Sequence, residues 1–145
     1  MAVTGKLYGK VFTALWNKEI DFDTDVIKVM LTTSSYTPDQ DVHDYKDDVT
    51  NEVSGTGYTA GGATLASKTV TYTGATNKHV LDAADTQWAT STITARNAVI
   101  YDDSPATAAT KPLIGYQSSD VDIVSSGGNF DIVWNAGGIV EITVG

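Results

Sequence analysis

The run from Asp21 to Leu31, DFDTDVIKVML, places three aspartates on alternate positions ahead of an apolar stretch. Carboxylates at that spacing are the opening ligands of an EF-hand calcium loop, which draws oxygens from its first, third and fifth positions. The same loop needs glycine at its sixth position and a bidentate glutamate at its twelfth. Here those positions hold Val26 and Thr32, so the sharp turn and the strongest ligand are both missing. A different calcium site, built from Asp21 or Asp23 with acidic residues further on, stays open as an alternative. The simpler reading is a charged, solvated entrance to a β-strand that discourages pairing with foreign sheets.

Two adjacent acidic pairs, Asp47–Asp48 and Asp102–Asp103, are the raw material for glycoside hydrolysis. That chemistry needs two carboxyls at a fixed separation, one of them with a raised pKa. Both pairs lie in turn-like sequence, where solvent is expected to hold their pKa values low. Nucleophilic chemistry has less to work with. There is no cysteine, no G-x-S-x-G elbow, and only His43 or His79 to act as base. The glycine clusters GTGYTAGG and SSGGN lack the lysine and the strand–loop–helix setting of a phosphate loop, and read as turns. Arg96, the single arginine, is expected to pair with a carboxylate or a backbone carbonyl. No catalytic residue, cofactor or metal ligand is assigned.

These side chains sit in a chain of 145 residues, enough for one domain (1–145) with its own core. Eighteen acidic residues against nine basic ones leave a formal charge of −9, which repels phosphate backbones. Nucleic acid is therefore not an expected partner. No window is apolar enough to span a bilayer, so no membrane partner is expected. The N-terminus MAVTGKLYGKVF shows no signal-peptide pattern, and folding in a cytoplasm is the expectation.

The elements follow from periodicity. Leu7, Tyr8, Val11, Phe12, Leu15 and Trp16 recur at helical spacing, which predicts an amphipathic helix over 5–18, capped by Thr4, within an N-terminal arm of residues 1–20. The period then changes to two. VIKVMLTTS puts Ile27, Val29 and Leu31 on one buried face, with Val26, Lys28, Met30 and Thr32 opposite. A long acidic loop spans 34–62, with a short helical turn near 43–48. From Ala63 onward the text reads as short strands: ATLAS, KTVTYT, KHVLDA, STITARNAVIYD, KPLIGYQ, SDVDIVS, NFDIVWN and GIVEITVG. Between them stand the turn signals TGATN, DDSP, SSGGN and NAGG. The predicted fold is mainly β, an antiparallel β-sandwich of jelly-roll type with one N-terminal helix. Its predicted core is Leu15, Ile27, Val29, Leu31, Val70, Tyr72, Leu81, Trp88, Val99, Tyr101, Leu113, Ile132, Trp134 and Ile142.

The blocks GKLYGK, NKEIDFDTDVIKVML, TSSYTPDQDVHDY, DDVTNEVSGTGYTAGG and STITARNAVIYDD together resemble a family of virion structural proteins of tailed bacteriophages. Its members are described as capsid decoration (cement), head-fibre or minor tail proteins. The resemblance implies a non-enzymatic virion component, assembled in the host cytoplasm. Its first implied role is a decoration protein that binds the outside of the major capsid protein shell and self-associates as a dimer or trimer. The alternative it implies is a minor tail or tail-tip protein that binds a host glycan or a tail subunit. A carbohydrate-active enzyme using the acidic loop ranks last. The contact candidates are Tyr36, Asp44, Tyr45, Asp47, Asp48 and Tyr58 in the loop, with its three tyrosines as an exposed aromatic platform under the tail reading. Shortening this loop is expected to leave the domain folded while abolishing binding.

Overall fold

The computed structural model describes residues 1–145 and is mainly β, with eight strands in two antiparallel sheets and one six-residue helix. In chain order the elements are β1 (Val3–Leu7), α1 (Val11–Trp16), β2 (Ile27–Thr32), β3 (Ala63–Thr64), β4 (Thr69–Thr73), β5 (Lys78–Asp82), β6 (Thr86–Asp102), β7 (Leu113–Ile132) and β8 (Val140–Thr143). The larger sheet has the order β1-β7-β6-β2-β3, and the smaller β4-β5-β8.

The N-terminal segment departs from the predicted helix. Val3–Leu7 is an edge strand paired with Gly115–Ser119 of β7, and only Val11–Trp16 is helical. Thr4 lies in the strand, and the residue at the helix N-cap position, Lys10, makes no side-chain cap. The helical spacing of the apolar residues is real, but pairing with β7 overrides it. Gly5 and Gly9, poor helix formers, sit in the part that fails to coil. Trp16, expected on the buried stripe, is 81% exposed.

The long hairpin of β6 and β7 is the backbone of the molecule. KPLIGYQ, SDVDIVS and NFDIVWN, predicted as three strands, supply one 20-residue strand and the short extension beyond it. Their separators are irregularities within it. Pairing jumps from Asn97↔Ser118 to Ala95↔Ile123, so Ser119 to Asp122 bulge outward, and Gly127 takes a φ of 72°. Glycine and serine inside a strand mark a bulge as readily as a turn. The bulge is held by Asp120, whose amide donates to the Ala2 carbonyl (3.0 Å) and whose carboxylate accepts from the Ala2 amide (2.8 Å).

Alternation places the main core where the sequence predicts it, on one face of β2 and β6. Ile27, Val29 and Leu31 meet Ile93, Ala95, Ala98 and Ile100, with Trp88, Phe130, Ile132 and Trp134 toward the far end of the hairpin. The step of three from Ala95 to Ala98 falls at a register shift, which keeps the same face buried on both sides of it. Val70 and Tyr72, predicted as core, are 43% and 54% exposed because β4 is an outer strand of the smaller sheet.

The second face of β2 is also buried, contrary to the one-sided strand expected. Met30, Val99, Tyr101, Leu113 and Tyr116 form a separate apolar cluster with Tyr8 and Tyr36. The loop after β2 covers it, which is why Thr32 is fully buried as well.

Candidate functional site

The loop from Ser34 to Gly62 carries all six contact candidates, and it is tied to the sheet along its length. Asn97 on β6 anchors its start. The Asn97 side-chain amide donates to Thr32 Oγ1 (3.1 Å) and to the Tyr36 carbonyl (3.0 Å), and its oxygen accepts from Ser118 Oγ (2.7 Å). The Tyr36 hydroxyl lies 3.0 Å from the buried Tyr8 hydroxyl and 3.0 Å from His43 Nδ1. His43 Nδ1 also accepts from the Asp39 amide (3.1 Å), so the neutral ring carries its proton on Nε2. At the far end the Tyr101 hydroxyl donates to the Gly61 carbonyl (2.7 Å).

The loop also finishes the outer edge of β2. β3 is only two residues long and pairs with Lys28 and Val29, which leaves the next peptide groups of β2 uncovered. Tyr58 fills that gap with a side chain. Its oxygen accepts from the Leu31 amide (3.0 Å) while its hydroxyl donates to Glu52 Oε1 (2.8 Å). The Val53 amide then donates to the Leu31 carbonyl (3.0 Å), and Val53 buries in the main core. A loop segment and a phenol thus protect an edge that would otherwise invite pairing. Two glycines permit the close approach. A Cβ on Gly62, whose φ is 80°, would stand 2.0 Å from the Val29 carbonyl oxygen, and one on Gly55 would stand 2.1 Å from that of Thr92.

The six candidates therefore divide. Tyr36 is 4% exposed and presents no ring to a partner. Tyr58 is half-buried and engaged on both sides of its oxygen; Tyr45 is half-buried and donates to Glu19 Oε2 (3.0 Å). The exposed aromatic platform expected of these three tyrosines is not present, because each phenol fixes the loop instead. Asp44 accepts from Lys10 Nζ (2.8 Å), and Asp48 Oδ2 accepts from the Asp44 amide (2.9 Å). Burial alone would raise the Asp48 pKa, but the Asp44 and Tyr45 amides outweigh it and hold it below the ordinary aspartate value. Asp47 is exposed, on a 3₁₀ turn over Lys46–Asp48, as are Asp39, Asp41 and Val42 nearby. These four are among the exposed residues of the loop. The loop also carries the core residues Tyr36 and Val53, so a shortening that leaves the domain folded must spare them.

The remaining acidic groups take unexpected positions. Asp21, Asp23 and Asp25 lie in a turn that the side chains of Asp21 and Asp25 close: the Asp21 amide donates to Asp25 Oδ2 (2.6 Å) and the Thr24 amide to Asp21 Oδ1 (3.3 Å). No group of three or more acidic or histidine side chains converges as a metal cage would. Asp102–Asp103 is not a solvated pair. Asp102 is fully buried, and burial together with the neighbouring Asp25 carboxyl pushes its pKa up to about 6. Asp103 bridges Lys28 (2.6 Å) and Lys111 (2.5 Å); these cations outweigh the effect of burial and hold its pKa low. Arg96 pairs with Asp122 (2.9 Å) as expected.

Two half-open grooves flank β1. The larger, about 380 Å³, runs between Met1, Val3, Ala95, Ile123, Phe130 and Ile132, and Asp131 is the one carboxylate on its wall. The smaller, about 200 Å³, lies between Lys6 of β1 and Glu141 of β8. Asp102 lines neither.

Comparison of the chain with protein-family models, with curated proteins and with solved structures finds no match.

Proposed function

We propose that this protein is a structural component of a tailed-phage particle, a decoration protein that binds the outer surface of the major capsid protein shell. In this reading the two sheets act as a rigid sandwich, and the loop from Ser34 to Gly62 carries the contact. The observation that supports it best is the contrast between the loop's two sides. Its inner side is fixed by Asn97, Tyr8, Tyr58 and Tyr101, while Asp39, Asp41 and Asp47 are exposed, as is Val42 (61%), which follows Asp41 in the chain. A surface already ordered before binding loses little entropy on docking, and exposed carboxylates suit a basic protein patch.

The tail and enzyme readings draw less support. The loop tyrosines meant to stack on a glycan are engaged in the fold. Of the carboxylates considered as acids, Asp48 is shifted downward and Asp102, shifted upward, is away from both grooves.

Capsids of the phage that encodes the chain, assembled without it, provide the test. The wild-type protein should co-sediment with them, and a variant carrying Asp41→Lys and Asp47→Lys should melt as the wild type does but stay in the supernatant. Equal binding by the two proteins would overturn the assignment of the contact to this surface.

A further inference from the structure

Four strands end the two sheets, and three of them are shielded. β3 is two residues long and flanked by the loop that completes the edge of β2. β1 and β8 carry Lys6 and Glu141 and face each other across the smaller groove. β4 has no such protection. Its sequence TVTYT contains no charge, proline or glycine, its pairing with β5 is unbroken over five residues, and all five residues are exposed. Natural sheet edges of this length usually carry a charge, a proline or a bulge that stops pairing with another chain. We propose that β4 is a self-association surface, and that a second copy of this chain pairs with it antiparallel across a two-fold axis at Thr71.

The strand is complementary to itself in that register. Thr71 meets its own copy, Val70 meets Tyr72, and Thr69 meets Thr73. Odd residues meet odd and even meet even, so every peptide group that points outward meets one that also points outward. Within the chain Val70 lies beside Leu81, and Leu81 beside the buried Val140, on the sheet face that packs toward the core. Pairing would set Val70 and Tyr72 of one copy against Tyr72 and Val70 of the other and extend that apolar row. The opposite face would gain a threonine ladder, and both kinds of cross-strand pair are favourable.

Charge permits a second copy at this edge. Two chains of charge −9 repel each other, yet no acidic residue occurs between Glu52 and Asp82. The nearest cation, Lys68, would face Gly74 of the other copy and not another lysine. Because each chain has one such edge, the axis closes the assembly at two copies. The dimer forms free in solution and does not depend on the capsid reading.

Sedimentation equilibrium of the full chain over a concentration series is expected to show a monomer–dimer equilibrium. Thr71→Lys or Thr71→Glu should each weaken the dimer by roughly tenfold or more, since each sets like charges face to face. An equal mixture of the two should recover it, because only the mixed pair opposes a lysine to a glutamate. The absence of cysteine gives a second route. Thr71→Cys should form a disulfide-linked dimer on mild oxidation, as directly opposed residues lie about 4.5–5.5 Å apart at Cα, within disulfide reach. Thr143→Cys, exposed on the same sheet face at the other edge, should not. A wild-type chain that stays monomeric, a folded Thr71→Cys that fails to crosslink, or a lysine–glutamate mixture no stronger than either variant alone would each overturn the proposal.

Discussion

Asp102 and Asp103 are neighbours in the chain and opposites in environment. Asp102 is 0% exposed with Oδ2 unpartnered, whereas Asp103 bridges two lysines at 2.6 and 2.5 Å. Both sit where β6 meets β2, with Asp102 paired to Ile27 and the Asp103 amide donating to the Val26 carbonyl (2.8 Å). Their titrations therefore act on one junction with opposite sign.

The raised pKa of Asp102, about 6 against an ordinary 3.8, means that the folded state holds a proton the unfolded chain releases. Its stabilising contribution is complete below pH 3.8 and is lost as pH rises through about 6. Asp102→Asn removes the cost of a buried charge and can still donate toward Asp25. It should raise stability at about pH 8 by on the order of 2 kcal/mol and make little difference near pH 4, as read by denaturant titration at both values.

Asp103→Asn should behave in the reverse way. The pKa of Asp103 is depressed in the fold, so its stabilisation is present at neutral pH and disappears as pH falls through the folded value. Loss of its ionic partnership with Lys28 and Lys111, all three groups partly buried, should cost about 1–3 kcal/mol at neutral pH. The difference between variant and wild type should shrink below the ordinary aspartate pKa of 3.8.

The Tyr8–Tyr36 pair clamps the loop over the second apolar cluster. Tyr36→Phe leaves the Tyr8 hydroxyl, fully buried and bonded only to Tyr36, without a partner. A loss of about 1–2 kcal/mol is expected. The double change to phenylalanine at both positions should cost less than the two single changes added together, because it removes the stranded group as well. Thermal melts of the three variants check this.

Gly62 is the tightest point of the loop. A side chain there meets the backbone of Val29 and Met30 at a positive φ, so neither a rotamer change nor a small shift relieves it. Gly62→Ala should destabilise by on the order of 3 kcal/mol and speed hydrogen exchange at the Leu31 amide, which Tyr58 covers. An exchange rate unchanged from wild type would show that the loop packs without this glycine.

The sequence made the strands legible wherever one face alternates with water. Ile27, Val29 and Leu31, and Phe130, Ile132 and Trp134, bury as their period of two requires. It concealed the second face of β2, because the covering loop is polar and spends only Tyr36, Val49, Val53 and Tyr58 on packing. It concealed Asp102 for a similar reason: DDSP has the composition of an exposed turn, and burial there depends on β2 and β7 arriving from elsewhere in the chain. At the candidate surface the acidic character was readable. The separation of outward Asp39, Asp41 and Asp47 from inward Tyr36, Tyr58 and Asp48 was not, since it turns on long-range bonds to Tyr8, Leu31 and Asn97.

The copy number of this chain in purified particles, measured against the major capsid protein by quantitative mass spectrometry, tests the central claim most directly. A decoration protein should be present in hundreds of copies, in simple proportion to the shell subunits. A handful of copies per particle, or none, would contradict the account.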